Sequence, residues 1–430
     1  QLLLMPVYYF DGRILPEKEK NIPYQKEGQE PKLNYWGYGK ARYFAPKSTY
    51  SVKDPVKEFK DLVKKFHAEG IEVLMEIFFP EGTEERLIFD CLEHWVRDYH
   101  VDGFYLMGDD SMNRFLARDP MFVGTKLLST WFDTDNIYER KKTPAFRNLA
   151  EHNDGFLVDA RRFLKGDEDQ LPAFTWRVRK NPAKCAVINY ITHHDGFTLM
   201  DLVSYEERHN EANGEGGQDG PAYNFSWNCG VEGPSRKKKI QELRLQQMKN
   251  AFLLLLFSQG TPMILAGDEF GNSQRGNNNP YCQDNETSWL EWNGLKKQTE
   301  LFEFVKAAIA FRKTHPLLHQ AKELQGTSGS VLGYPDVSCH GQQAWYGNFE
   351  TTSRHFGMMY CGEEGEYLYV AYNLHWKEQS FALPKLPEGL SWQLVFDTED
   401  GASPEKEIKW IDQKSFEAPP RSILVLEGRK

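Results

Sequence analysis

The chain has 430 residues, a formal net charge of −10 at pH 7 and an aromatic content of 14%. The length suits a barrel of about 250 residues with additions rather than one small domain. The negative charge argues against nucleic acid or an anionic membrane as the main partner, because both would repel the chain, and a neutral ligand such as a sugar fits better.

The first part of the chain alternates strands and helices. Residues 1–8 are apolar and predict a strand, and residues 71–79 predict a second strand with apolar side chains on both faces, as in parallel sheets. Between them, residues 55–69 predict a helix that begins with a proline and stops at a glycine.

A second helix and strand follow. Residues 83–100 carry apolar side chains at helical spacing, and residues 101–110 read V-D-G-F-Y-L-M-G-D-D, which opens as a buried strand. A helix before a strand, repeated along the chain, predicts a parallel α/β architecture. In such barrels the chemistry lies where strands end, so a catalytic group is expected between Tyr105 and Asp110.

Residues 101–107 resemble the fourth-strand motif V-D-G-F-R-F-D of glycoside hydrolase family 13, in the branch of isoamylases and bacterial glycogen debranching enzymes. In that motif the Asp is the nucleophile, and the Arg stabilises the negative charge of the Asp. Tyr105 stands at the Arg position and Met107 at the Asp position. The resemblance implies the fold class, a TIM (β/α)8 barrel of the α-amylase type. It also implies that the nucleophile has been lost, because Met107 stands at its position.

The beginning of the chain also resembles this family. Residues 1–8 are similar to its second barrel strand, so a barrel truncated at the N-terminus and lacking its first strand is expected. Residues 34–38, N-Y-W-G-Y, resemble the N-Y-W-G-Y-N-P loop of the branch. Trp36 and Tyr38 in this loop either stack on a glucan or wedge the loop against the barrel.

Two further strands depart from the family pattern. After its third strand the family has an Asn and a His that line the sugar subsite, where this chain has Pro80 and Glu81 followed almost at once by a helix. The long family loop is missing from the sequence, so one wall of the cleft is expected to be cut away. In the fifth-strand motif, residues 124–130, Thr130 stands at the position of the general acid. A Thr hydroxyl has no pKa from which it could protonate a leaving group near neutral pH.

The later motifs are retained more fully. Residues 189–199 resemble the seventh-strand motif, whose His and Asp bind the sugar at the cleavage site, and the resemblance assigns these roles to His194 and Asp195. Residues 204–233 resemble an irregular loop of the glycogen debranching enzymes. Residues 276–286 resemble the loop G-N-N-N-A-Y-C-Q-D-N-E, whose polar side chains either contact glucan or pack the loop through turn chemistry.

The C-terminal part changes from helical to strand patterns. Helical spacing is found at residues 236–257 and again at residues 300–313, with a strand predicted between them at residues 261–268. From residue 317 onward, short alternating runs predict strands. We therefore expect a barrel domain over residues 1–316 and a C-terminal β-sandwich over residues 317–430.

The six cysteines are widely spread and contain no C-x-x-C pair, so we predict no metal site, no cofactor and no disulfide framework. A reducing, cytoplasmic location is the corresponding expectation. The longest apolar run, residues 251–257, is far too short to span a membrane.

Three functions remain open. The first is a regulatory or α-glucan-binding relative that has lost the reaction, with a maltooligosaccharide as ligand and an active debranching enzyme subunit as the protein partner that the resemblance allows. The second is a glycosidase with displaced carboxylates. There Asp109 or Asp110 would replace the nucleophile. The acid would be Glu76, Glu81 or Asp133. The third is an assembly subunit without a sugar site.

The candidate site combines catalytic and substrate-binding positions. The catalytic positions are Asp195, which keeps the position of the transition-state stabiliser, and the degenerate positions Met107 and Thr130. The predicted substrate-binding residues are His194, Trp36, Tyr38, Tyr105, Glu81, Tyr281 and Asp284. For Asp109 and Asp110 the structural alternative is capping of a short helix at residues 111–117.

Overall fold

The computed structural model describes residues 1–14, 32–39, 41–138, 142–281, 283–327, 333–363, 365–401 and 412–430. The chain forms two compact units. The first unit comprises Gln1–His152, Pro182–Ile188 and Tyr281–Asp284, and the second comprises Asn153–Asn181, Asn189–Pro280 and Asn285–Lys430. This division does not fall between residues 316 and 317, so the domain boundary expected there stays a prediction.

The first unit is built on a parallel sheet. Its strands are β1 (Leu2–Leu4), β2 (Tyr8–Phe10), β3 (Arg13–Ile14), β4 (Lys32–Leu33), β5 (Ala41–Pro46), β6 (Val73–Phe79), β7 (Gly103–Gly108), β8 (Lys126–Ser129), β9 (Leu149–His152) and β10 (Ala186–Asn189). Its helices are α1 (Pro55–Ala68), α2 (Glu85–Tyr99), α3 (Asn113–Arg118) and α4 (Thr134–Ile137). The parallel order is β1-β6-β7-β8-β9-β10, while β2 pairs with β5 and β3 with β4 in antiparallel fashion.

The register of this sheet decides which side chains share a face. Glu76 on β6 is opposite Tyr105 on β7, and Phe78 is opposite Met107. Because side chains alternate along a strand, these four project from the same face. The other face packs against α1 and α2 in one apolar core that includes Val73, Met75, Ile77, Phe104, Leu106, Leu127 and Leu149. The sheet therefore presents the candidate site on one face and its core on the other.

Local signals explain where α1 begins. The Asp54 side chain accepts a hydrogen bond of 3.0 Å from the backbone N–H of Lys57, and Pro55 occupies the first helical turn. Both features are favoured at helix N-termini. The predicted helices at residues 55–69 and 83–100 are confirmed to within a few residues, and β1, β6 and β7 confirm the predicted parallel strands.

The second unit combines helices with strands, and its strands after residue 336 pair in antiparallel fashion. Its helices are α5 (Asp154–Lys165), α6 (Leu171–Arg179), α7 (Leu199–Leu202), α8 (Lys238–Leu256), α9 (Gly294–Lys297) and α10 (Thr299–Thr314). Its strands are β11 (Thr261–Pro262), β12 (Val337–His340), β13 (His355–Cys361), β14 (Tyr367–Asn373), β15 (Gln379–Ala382), β16 (Ser391–Asp397), β17 (Ser415–Ala418) and β18 (Ser422–Arg429). Short 3-10 helices lie in the first unit at Ser48–Tyr50 and Pro120–Phe122, and in the second unit at Glu211–Asn213, Asp268–Phe270 and Pro316–Leu318.

The C-terminal strands form an antiparallel sheet of order β12-β13-β14-β18-β16, with β15 and β17 paired separately. The predicted antiparallel region is thus confirmed. The strand predicted at residues 261–268 is wrong beyond Pro262, because the chain reaches Gly267 with φ of 101° and enters a 3-10 turn at Asp268–Phe270. A left-handed glycine of this kind ends an extended run.

Five cysteines, Cys91, Cys185, Cys229, Cys339 and Cys361, are free thiols, and Cys282 lies outside the described residues. In the described part of the chain, no helix is both long enough and apolar enough to cross a membrane.

Candidate functional site

Met107, the predicted position of the nucleophile, lies near the end of β7. Met107 is partly buried there, and Tyr105, two residues earlier on the same face, is only 6% exposed. The ring of Tyr105 stacks on the imidazole of His152 from β9, with centroids 4.0 Å apart and planes at 10°. A stacked Tyr and His therefore occupy the region where the family motif has an Arg beside a carboxylate. His152 was not predicted from the sequence, because β9 carries none of the motifs.

One carboxyl group does project from this face of the sheet. Glu76 is 3% exposed and accepts a hydrogen bond from the hydroxyl of Tyr38, whose ring packs edge-on against Phe78 at 6.2 Å. This contact ties the loop of residues 32–39 to β6. The Glu76 carboxyl is thus engaged by a protein group.

The aromatic loop is packed within the first unit. Trp36 is 5% exposed, and its ring makes perpendicular contacts with Tyr281 at 5.1 Å and with Tyr38 at 6.2 Å. Tyr35 donates its hydroxyl hydrogen bond to the Gln283 carbonyl at 3.1 Å. This geometry matches the wedge alternative for Trp36, and a glucan contact by Trp36, Tyr38 or Tyr281 stays a prediction.

The predicted position of the general acid is at the surface. Thr130 is exposed and directly follows the last residue of β8. Asp133, a candidate for a displaced acid, is the N-cap of α4, and its carboxylate accepts a hydrogen bond of 3.2 Å from the backbone N–H of Asn136. The Asp133 carboxylate is thus engaged in starting a helix.

The short connection after β6 is a well-defined turn. The Thr83 backbone N–H donates to the Pro80 carbonyl at 3.1 Å, and Gly82 has φ of 76°. Asp109 braces the turn, because its Oδ2 accepts from the Gly82 N–H at 2.9 Å. Glu81 lies exposed at the tip of the turn.

Asp109 is therefore a bracing residue. Its Oδ1 also accepts from the Ser111 backbone N–H at 2.9 Å, and hydrogen bonds from Ser111 and from the turn lower the pKa of Asp109. The predicted capping of a helix at residues 111–117 needs correction. The helix α3 begins at Asn113, and the side chain of its N-cap residue, Met112, makes no capping hydrogen bond.

The second unit carries the retained His and Asp. His193 Nδ1 is 2.6 Å from Asp195 Oδ1, and the imidazole centroids of His193 and His194 are 4.1 Å apart. Desolvation acts to raise the pKa of Asp195, but the hydrogen bond and charge of His193, aided by His194, lower it to about 2. The Asp195 side chain is 66% exposed, so an ionised carboxylate is presented at the surface of this unit. His193, which the motif alone did not single out, is its orienting partner.

Two buried carboxyl groups, those of Asp268 and Asp201, accept hydrogen bonds from segments close to this motif in the second unit. Asp268 accepts from the Thr192 hydroxyl and, at 2.8 Å, from the Leu199 N–H. Asp201 accepts from the Ser273 hydroxyl at 2.5 Å and from the Gln274 N–H at 2.7 Å. Desolvation outweighs these hydrogen bonds and raises the pKa of Asp268 to about 7 and that of Asp201 to about 6.

These shifts predict a pH dependence of stability. The folded state holds protons on Asp268 and Asp201 that the unfolded state has already released, so the free energy of unfolding should fall as pH rises from about 4 to about 7. Asp268→Asn keeps an acceptor for Leu199 without the charge. We expect this variant to match the native protein at pH 4.5 and to exceed its stability at pH 7.5, by on the order of 2–4 kcal/mol. Melting temperatures at the two pH values measure the difference, and an equal offset at both would contradict it.

Amide side chains fix the two long loops of the second unit to each other. Asn210 Nδ2 donates to Asn278 Oδ1 at 2.8 Å, and Asn278 Nδ2 donates to Asn224 Oδ1 at 2.8 Å. Asn277 Nδ2 donates to Asn213 Oδ1 at 2.7 Å. The polar residues of the G-N-N-N segment thus pack the loop, which is the turn-chemistry alternative of the two.

Comparison with known proteins places this geometry in a family. A model of the C-terminal domain of isoamylases 1–3 matches residues 338–406. The chain is 30% identical to the glycogen operon protein GlgX homologue of Mycobacterium tuberculosis H37Rv, over 98% of the chain and 69% of that protein. The chain belongs to the isoamylase and GlgX branch of glycoside hydrolase family 13. It is also 31% identical to chloroplastic isoamylase 3 of Oryza sativa subsp. japonica, over 92% of the chain and 58% of that relative.

Solved structures agree on the fold of this family member. A type I pullulanase from Bacillus subtilis, complexed with maltose, aligns with a TM-score of 0.68 at 16% identity, covering 99% of the chain and 62% of the pullulanase. A glycogen-degrading pneumococcal virulence factor, SpuA, aligns with a TM-score of 0.69 at 17% identity, covering 99% of the chain and 52% of that protein. The chain thus spans only part of the length of these relatives.

Within the family frame, the site residues form two groups. The first unit brings together Tyr105 and His152, Glu76 and Tyr38, and Trp36 and Tyr281. It leaves Thr130, Glu81 and Asp284 exposed. The second unit brings together His193, His194 and Asp195. Sequence reasoning missed His152, His193 and the bracing role of Asp109; only His193, adjacent to a named motif residue, carried a signal that could have been found.

Proposed function

We propose that this member of the debranching family binds α-glucan without hydrolysing it. The observation that carries the proposal is the absence of a carboxyl group at both family positions, since Met107 lies on β7 and Thr130 follows β8. A retaining glycosidase needs two carboxyl groups about 5 Å apart, one to attack the anomeric carbon and one to transfer the proton. A thioether and an aliphatic hydroxyl do neither.

The remaining carboxylates of the first unit do not favour the alternative of an active enzyme. Asp109 is held by the N–H groups of Gly82 and Ser111, and Asp133 caps α4. To attack the anomeric carbon, Asp109 would first have to release both hydrogen bonds, and to protonate a leaving group, Asp133 would first have to leave its capping position. Asp110 and Glu81, two further candidates, lie in no strand. Glu76, the remaining one, is buried on β6 and accepts a hydrogen bond from Tyr38.

The retained half of the site supports binding. Asp195 is ionised and exposed, so its carboxylate is able to accept hydrogen bonds from sugar hydroxyls, and His194 lies next to it. Related structures contain such ligands: the pullulanase of Bacillus subtilis was solved with maltose, and that of Paenibacillus barengoltzii with maltohexaose and α-cyclodextrin. We take a maltooligosaccharide segment of glycogen or starch as the ligand class, and an active debranching subunit as the protein that such a binder would assist.

Calorimetric titration of maltoheptaose tests this binding. Asp195→Ala and His194→Ala should each weaken the affinity, because a bound sugar hydroxyl would lose its partner at a cost of about 1–3 kcal/mol. Glu378→Ala, which removes an exposed carboxylate of the same unit, is the matched control and should bind as the native protein does.

Two results would count against the proposal. Native affinity in both the Asp195 and the His194 variant would move the sugar to another surface. The absence of any heat at about millimolar sugar would favour an assembly role without a sugar site, because a dissociation constant above about 1 mM is weak for a specific ligand.

A further inference from the structure

A surface cavity of about 690 Å³ lies wholly within the second unit, and none of its lining residues belongs to the His193–Asp195 motif. Two tryptophans line it, and both are unusually open to solvent. The exposed fractions are 58% for Trp289 and 65% for Trp292. Large apolar side chains that are exposed together in one concavity are typical of binding surfaces. Apolar side chains exposed singly are ordinary on protein surfaces and indicate no such site.

The walls of this cavity are preformed. The ring of Trp292 packs on the buried Phe270, with centroids 5.7 Å apart, and the Glu291 N–H donates to Asn272 Oδ1 at 3.0 Å. A Cβ on Gly267 would approach side-chain atoms of Asn272 and Leu290 to 2.8 Å, so the two segments are in close contact. A ligand would therefore meet a Trp292 indole that is already held in place, which lowers the entropic cost of binding.

The charges around the cavity balance. Arg275 and Glu286 form an ion pair of 2.9 Å, and Glu291 and Lys297 add one charge of each sign. A cavity without net charge favours neither an anion nor a cation. Exposed indole faces with amide and charged groups at the rim suit a neutral, hydroxyl-rich ligand, whose apolar ring face stacks while its hydroxyls are hydrogen-bonded.

We propose that this cavity binds a linear α-glucan segment as a second sugar site, separate from the subsite of His194 and Asp195. The choice of α-glucan as the neutral ligand rests on the proposed function. Two sites on one chain would hold a polymer more tightly than either alone, because the second contact becomes intramolecular. Retention of a polymer needs no cleavage, so the cavity gives a non-hydrolysing protein a means of staying on glycogen or starch.

Titration of maltoheptaose into the full chain tests the second site. We expect two sites in the native protein, and loss of about tenfold or more in affinity at one of them in the Trp289→Ala, Trp292→Ala double variant. The matched control is Trp376→Ala, which removes a tryptophan that is 53% exposed and lies outside the cavity. The control should keep both sites.

The variants separate this inference from the proposed function. If the tryptophan variant loses one site and the Asp195→Ala variant loses the other, both are supported. If the tryptophan variant alone loses binding, the cavity is a sugar site and the proposed subsite is wrong. If it keeps every site of the native protein, or if no sugar binds at all, the second site is refuted.

Oxidation of exposed indoles by N-bromosuccinimide gives an answer that does not depend on how the variants fold. In the native protein, maltoheptaose should slow the modification of Trp289 and Trp292, mapped by mass spectrometry, and leave Trp376 unchanged. Equal rates for all three with and without the sugar would overturn the inference.

Discussion

Incubation of the protein with glycogen, pullulan or amylopectin is expected to release no detectable reducing sugar. General acid catalysis alone contributes roughly 10²–10⁴ in rate, and under the proposed function the nucleophile is missing as well as the acid. Asp195 remains, but a single carboxylate that stabilises charge cannot replace either step. Turnover numbers of ordinary enzymes lie at about 1–10³ s⁻¹, so even slow catalysis would be visible at micromolar protein.

A matched variant tests whether any observed activity depends on the carboxyl group of Glu76. Glu76→Gln removes the buried carboxyl on the Met107 face and leaves an acceptor for Tyr38. Any activity that depends on Glu76 should vanish in this variant, whereas contamination should persist. Release of reducing ends within the ordinary range of turnover, abolished by Glu76→Gln, would establish displaced-carboxylate catalysis and contradict the proposed function.

The double variant Met107→Asp, Thr130→Glu is expected to remain without debranching activity. The new Asp would lie two residues beyond Tyr105, whose ring is stacked on His152, and no Arg would hold its charge. Glu76 projects from the same face, so a like charge would raise the pKa of the new carboxyl. Thr130 is exposed, and a Glu there would keep an ordinary pKa rather than the raised one that a general acid needs.

The surroundings also oppose recovery of activity. The turn of residues 80–83 replaces the Asn and His of the family, and Asp109 braces it through the Gly82 N–H. Substrate positioning depends on such contacts, and a displacement of the substrate by about 1 Å can already lower the reaction rate 10²-fold. Adding Tyr105→Arg to the double variant should therefore not restore hydrolysis either.

The measurement is the release of reducing ends from glycogen by the double variant, and its melting temperature is the control for folding. Activity of the double variant within about a hundredfold of an ordinary debranching enzyme, whose turnover is about 1–10³ s⁻¹, would show that only two residues had been lost. Activity that needs Tyr105→Arg in addition would show that the missing Arg is the remaining defect.

Much of the fold could be predicted because it rests on periodic patterns. The helix at residues 55–69 has a proline, an apolar stripe and a glycine stop, and α1 occupies Pro55–Ala68. The strand before Met107 is marked by a continuous apolar run. By contrast, β9 is four residues long, and a run of that length cannot be assigned by periodicity.

The candidate site was less predictable, because its roles depend on contacts between distant segments. Asp109 braces Gly82 across 27 residues, and Asn278 reaches Asn210 across 68 residues. A sequence gives the residue types but not these partners. The same holds for Tyr105, whose stack on His152 joins two strands that are not neighbours in the sheet order.

A single-turnover experiment tests most directly whether glucan is bound and left intact. The native protein, in excess over a maltooligosaccharide with one α-1,6 branch, is separated from free sugar, and the bound fraction is analysed by chromatography. We predict that the sugar is retained by the protein and recovered whole after long incubation. Two shorter linear fragments in place of the branched sugar would contradict a binding protein without hydrolysis, and sugar found only in the free fraction would contradict binding.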